Sequence, residues 1–123
     1  MISEELVTLA VDALEDLKGS DIQVLDVRKL TDMTDYMVLA TGNSSRQVRA
    51  LAEEVVSNAK QQQFPPIGIE GEREGEWVLV DLADVVVHVM QAEFRDLYQL
   101  EQLWSKPRED ARDVVILNTE AMP

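Results

Sequence analysis

The chain contains no cysteine, which excludes disulfides, thiolate metal sites and a cysteine nucleophile, and gives no support to an oxidising compartment. It has a single histidine, His88, so a histidine-rich metal site is excluded as well. No apolar run approaches the roughly 20 residues that span a bilayer. The first residues, MISEELVTLAVDALEDLKG, carry acids from Glu4 onward and no basic region, so neither a secretory signal nor a transit peptide is expected, and a cytoplasmic location is. Basic residues are scarce: 11 Lys and Arg stand against 24 Asp and Glu, a formal charge of −13. A field of that sign repels phosphate backbones and anionic lipid surfaces. Arg46 and Arg49, the nearest thing to a basic cluster, are followed at once by Glu53 and Glu54. Little direct nucleic-acid contact and no membrane binding are therefore expected. The acidity fits either plain solubility or a surface made to meet a basic partner.

What is present is the patterning of one α/β domain, since 123 residues fall in the usual size of about 100–150 for a single domain. Apolar residues at Leu6, Leu9, Ala10, Ala13, Leu14 and Leu17, with acids between them, predict an amphipathic helix capped by Ser3 and ended by Gly19. Residues 21–28 alternate, with Ile22, Val24 and Asp26 on one side and Leu25 and Val27 on the other, which predicts a strand. The continuous apolar run 36–40 reads as a central strand buried on both faces. TGNSS then supplies turn and cap chemistry for a helix over 45–62, with Val48, Leu51, Ala52, Val55, Val56 and Ala59 inward. Phe64-Pro65-Pro66 stops it. The segment GIEGEREGE reads as a loop. Two short strands at 77–81 and 85–90, joined by Leu82-Ala83-Asp84, form an antiparallel pair. A last helix is predicted over 91–104, with Phe94, Leu97, Tyr98, Leu100, Leu103 and Trp104 along one face. The whole is a mixed β-sheet covered by helices. Residues 1–105 make the domain, and 106–123, with only Val114 to Leu117 apolar in a run, make a loosely docked tail.

The candidate chemical sites are thin. TGNSS between a strand and a helix has the geometry of an anion site, but it lacks the spacing of a dinucleotide fingerprint and the lysine of a phosphate loop, so capping is the better reading. Asp32 with Asp35, and Asp81 with Asp84, are candidate metal pairs; metal-assisted chemistry needs carboxylates that converge. Asp81 and Asp84 flank a turn, where aspartate bonds to backbone. His88 shares its strand face with Asp84, Val86 and Met90 and reads as a structural histidine held by a nearby polar group. Trp77, which shares a face with Leu79 and Asp81, reads either as core cover or as an interface anchor.

The wording of the sequence carries further than its period. LDVRKLTDMTDYMVLATGNSSRQVRALAEEV, then GIEGEREGEWVLVDLADVVVHVM, then FRDLYQLEQLW resembles the ribosomal silencing factor family, also called Iojap-like, in its bacterial form. The resemblance covers residues 5–105 in order and at matching spacing. It implies a nucleotidyltransferase-like fold without that activity, because neither TGNSS nor the scattered aspartates completes a glycine-serine and paired-carboxylate site. It implies a factor with no cofactor that binds the large ribosomal subunit through ribosomal protein L-fourteen, blocks joining of the small subunit and lowers translation when nutrients are scarce. Homodimers are implied for the free form. Matched to the family's hairpin and final helix, Trp77, Leu82 and Tyr98 are the apolar docking anchors, with Asp81 and Asp84 the partners of basic side chains. Two other classes stay open: a nucleotidyltransferase-fold enzyme acting on nucleotides, and a homo-oligomeric structural module.

Overall fold

The computed structural model describes residues 1–98, with side chains through Arg95. The elements run α1 (Ser3–Asp16), β1 (Ser20–Asp26), β2 (Tyr36–Gly42), α2 (Ser45–Gln61), β3 (Gly68–Glu70), β4 (Trp77–Asp81), β5 (Val85–Gln91) and α3 (Ala92–Tyr98). The described strands form one mixed sheet in the order β1-β2-β5-β4-β3. β2 and β5 lie parallel at its centre, with Met37 opposite Val86 and Leu39 opposite His88, while the other neighbouring pairs are antiparallel. Strands buried on both faces need continuous apolar sequence, and YMVLA and VVVHVM supply it.

The sheet's two faces are packed differently. α1 and α2 cover one face, where Leu6, Leu14, Leu51 and Val55 meet Val24, Val38, Val78, Val80, Val85, Val87 and Val89 in the main core. The opposite face holds a smaller buried group, Leu25, Val27, Leu39 and Met90, against which Leu30, Met37, Trp77 and Phe94 are half-buried. Phe94 comes from α3, which sits over β2 and β5. Period-two alternation divides the strand residues between these faces as the sequence predicts.

Several boundaries differ from the sequence expectation, each for a local reason. Ser3 is not the cap of α1: its hydroxyl donates to Asp35, and the Ile2 backbone N–H is instead taken by the Glu5 carboxylate at 3.1 Å. Gly19 does not supply the left-handed residue that ends α1, since Lys18 does, at φ 63°. Gly19 follows it, donating its N–H to the Leu14 carbonyl at 2.8 Å. Its small size serves packing, because a Cβ there would stand 3.3 Å from Leu51 of α2. α2 ends before the prolines, with Gln63 left-handed at φ 62°. Within the presumed loop GIEGEREGE lies β3, which pairs Ile69 with Val80. Three residues rich in glycine and glutamate carry no strand signature of their own; only the neighbouring β4 makes them one. β5 runs one residue further than expected, so α3 begins at Ala92. The remainder of the predicted last helix, beyond residue 98, and the tail 106–123 lie outside the described residues.

Candidate functional site

The polar turns are mostly occupied by their own structural bonds. At the start of α2, Ser44 Oγ accepts from the Gln47 N–H at 3.1 Å, and Gln47 Oε1 accepts from the Asn43 N–H at 2.6 Å. The Gln47 side-chain amide also donates to the Leu17 carbonyl, at 3.3 Å, and so staples the start of α2 to the end of α1. Gln91 Nε2 donates to Ser45 Oγ at 2.9 Å and to the Gly75 carbonyl at 3.1 Å. TGNSS is thus a helix cap tied to two other segments. Among the described residues no three His, Cys, Asp or Glu side chains gather as a metal site. Asp32 is exposed, while Asp35 is half-buried and bound to Ser3.

The β4–β5 hairpin turn is built by Asp81. Its Oδ1 accepts the Ala83 N–H at 2.8 Å, which holds Ala83 at φ 72°. The Leu82 N–H reaches the Val85 carbonyl at 2.9 Å. The Asp84 carbonyl accepts from Asp35 and Tyr36, clamping the turn to the start of β2. Leu82 is wholly buried and belongs to the main core under the helices. Its place as an exposed docking anchor is therefore corrected: Leu82 fixes the turn from within, and the exposed group at the turn is Asp84. Tyr98 is the last residue of α3, and its side chain lies outside the described ones.

Trp77 lies on the α3 side of the sheet, opposite Met90 across the β4–β5 pair. Its Nε1–H donates to His88 Nδ1 at 3.0 Å, with the two rings tilted by 58° and their centroids 5.9 Å apart. The polar group that holds His88 is therefore the tryptophan itself. His88 is 8% exposed, and burial pushes its pKa down to about 4. The imidazole is neutral at neutral pH.

Along the same face, Met37, Val86 and Leu79 are half-buried. Met37 faces Val86 across β2–β5, Val86 faces Asp81, and Leu79 faces His88. Glu70, Glu76 and Asp84 are exposed near this row on β3, just before β4 and at the turn. Of the bases, Arg95 is buried with Nη1 donating to Thr41 Oγ1 at 2.9 Å. Arg28 holds Asp26 through paired bonds and lies over the Tyr36 ring at 5.3 Å. That guanidinium keeps the Asp26 carboxyl below its ordinary range. The result is a short apolar row with acidic margins. Sequence alternation already joins Trp77 to Leu79 and Asp81. Met37 and Val86 escape it, because their adjacency requires the parallel β2–β5 pairing, which no local pattern encodes.

Residues 2–122 match a family model described as ribosomal silencing factor during starvation. The match runs past Trp104, where the resemblance seen in the sequence ended. A ribosomal silencing factor of Chromobacterium violaceum is 52% identical over 101 residues, which are 82% of this chain and 83% of that protein. One from Haemophilus influenzae is 43% identical over 100 residues, 81% of this chain and 98% of that protein. A crystal structure of a Chromobacterium violaceum protein superposes with a TM-score of 0.84 at 45% identity, covering 100% of this chain and 98% of the other.

Proposed function

This chain belongs to the ribosomal silencing factor family, and on that premise we propose that it binds the large ribosomal subunit through ribosomal protein L-fourteen and sterically blocks joining of the small subunit. Translation is thereby lowered under nutrient limitation. The observation that carries this reading is the half-buried row of Trp77, Leu79, Val86 and Met37 with its acidic margins. Half-buried aromatic and aliphatic side chains at the centre of a patch are where binding energy concentrates. An acidic margin gives a basic ribosomal protein electrostatic complementarity, which speeds encounter and fixes orientation. The same charge disfavours the surrounding RNA phosphates, so it acts as a specificity device.

In this reading Trp77 is the central anchor, Tyr98 a second one, and Asp81 and Asp84 meet basic side chains. Leu82 contributes by holding the hairpin turn from the core. The protein works by occupancy, with no catalytic step and no cofactor, in the cytoplasm. Among the described residues no helix is long and apolar enough to cross a membrane. In this reading a nucleotidyltransferase-like fold would carry no nucleotide chemistry here, because the first turn of α2 is engaged by its own caps. The same row serves self-association when no subunit is present, so a homodimer of the free protein competes with docking.

Sedimentation of the purified protein with isolated large subunits at low salt tests the reading. The protein should pellet with the subunits, and added large subunits carrying it should no longer join small ones. Protein left in the supernatant contradicts the proposal. A calorimetric titration giving tight, magnesium-dependent nucleotide binding would favour an enzyme instead.

A further inference from the structure

Among the described residues the most exposed large apolar side chain is Met33, at 88%. A single exposed apolar residue is ordinary on a protein surface. Met33 differs because a built loop holds it out. Residues 27–35 join β1 to β2, and the Val27 N–H donates to the Asp35 carbonyl at 3.0 Å, which closes the loop at its base. The Val27 carbonyl accepts from the Leu30 N–H at 2.9 Å and the Thr31 N–H at 3.1 Å, forming its first turn. Thr31 Oγ1 then accepts the Met33 N–H at 3.1 Å, a local bond that fixes the backbone of Met33. Leu30 of the same loop packs against the buried group on the α3 side, so the loop belongs to that side of the sheet. The Asp35 N–H donates to the Asp84 carbonyl at 2.8 Å and ties the loop to the hairpin turn. Met33 thus stands at the end of the sheet where the half-buried row begins with Met37 opposite Val86, and Asp32 and Asp84 are exposed there.

From this placement we infer that Met33 is a further docking anchor: it enters an apolar pocket on a basic protein surface while Asp32 and Asp84 meet Lys or Arg side chains at the rim of that pocket. Met33 extends the docking row proposed above, on which this inference rests, across the hairpin turn to the β1–β2 loop. Methionine suits the task, since its unbranched chain and polarizable sulfur adapt to the shape of a partner's pocket. An RNA surface fits badly, because the two aspartates repel its phosphates and a phosphate backbone offers no apolar pocket. A second copy of this chain, itself at −13, brings more acid to an acidic corner, so charge disfavours it as the occupant. A protein surface that pairs an apolar pocket with bases answers both the methionine and its acidic neighbours.

The experiment measures large-subunit affinity and thermal melts for three variants of the full chain. Met33→Gln keeps the length of the side chain and makes its end polar; it should weaken binding about tenfold, and the loss should persist at raised salt because an apolar contact is not screened. Its melt should match that of the parent, since a side chain 88% exposed supports little of the fold. Met33→Leu conserves apolar volume and should bind within about twofold of the parent. Ile67→Gln is the control: Ile67 is 70% exposed just before β3, at the sheet edge opposite β1, and its variant should bind as the parent does. Parental affinity of Met33→Gln overturns the inference, and so does an equal loss in Ile67→Gln. A Met33→Gln chain that sediments as a smaller species when free, yet binds subunits normally, gives the contact to a second copy and overturns it as well. Binding to protein-free large-subunit RNA by the parent and not by Met33→Gln gives the contact to RNA, with the same consequence. Failure of the parent to bind large subunits removes the proposed function itself, whereas parental binding with an indifferent Met33→Gln removes the Met33 contact alone.

Discussion

Among the described residues, the two faces of this sheet are made from the same five strands and differ in what is buried on them. On the helix side, β-branched residues at 78, 80, 85, 87 and 89 are sealed by α1 and α2, and the buried polar groups there, the Tyr36 hydroxyl and the Asp26 carboxylate, are bonded to Glu4 and Arg28. On the α3 side the buried group is small, and polar side chains enter it: His88, Thr41 and Arg95 are buried there, bonded to Trp77 or to each other. A face built only for stability has no use for a histidine whose partner is a half-exposed tryptophan. In the proposed function the helix side carries stability and the α3 side recognition. Trp77 and Leu82, five residues apart in one hairpin, stand on different faces: one packs on the α3 side and the other is in the core beneath the helices.

The comparison breaks first at Leu82. Because it is wholly buried, Leu82→Ala should cost about 2–5 kcal/mol of stability in a denaturant titration, with the folded fraction still binding large subunits. A variant that keeps full stability and loses binding would return Leu82 to the docking surface. Leu51→Ala, on α2, should behave the same way.

Acid probes the other face. The His88 pKa is about 4 in the fold against 6.5 ordinarily, so the unfolded chain takes up the proton first as pH falls. The fold is at full strength at pH 7 and should lose about 3 kcal/mol as pH falls from 6.5 to 4. Asp26 adds to this at lower pH, because its carboxyl, bonded to Arg28, is lowered below its ordinary value and loses its contribution as pH falls through that lowered value. Urea midpoints measured across this range should fall less steeply for His88→Asn than for the parent.

Trp77→Ala should weaken large-subunit binding at least about thirtyfold while keeping a cooperative melt. An unfolded variant would make Trp77 a core residue and remove the distinction between the faces. The smallest effect belongs to the margin: Asp84→Asn should slow association a few-fold at low salt and lose that effect as salt rises, since exposed charges act mainly on encounter. Stopped-flow rates at two ionic strengths measure it.

Much of this was legible in the sequence. Alternation over 77–90 assigned Trp77, Leu79 and Asp81 to one face and the valines of β5 to the other, because period-two patterning follows directly from strand geometry. The Ser44 cap and the turn chemistry at Asp81 followed from side chains whose bonds are local. Non-local effects stayed hidden. Leu82 sits in a turn, where an apolar residue suggests exposure, and only the tertiary packing of the main core buries it. β3 exists through its neighbour β4, and the row of Met37 beside Val86 through a parallel pairing of strands nearly fifty residues apart. The partner of His88 was a donor on another strand, which single-strand periodicity cannot reveal.

Hydroxyl-radical footprinting of the protein on isolated large subunits measures the division between the faces most directly. Binding should protect Trp77, Leu79 and Met37 on the α3 side and leave the outer surface of α2, at Glu53 and Ser57, as reactive as in the free protein. Protection of α2 with Trp77 and Met37 unchanged would contradict the account.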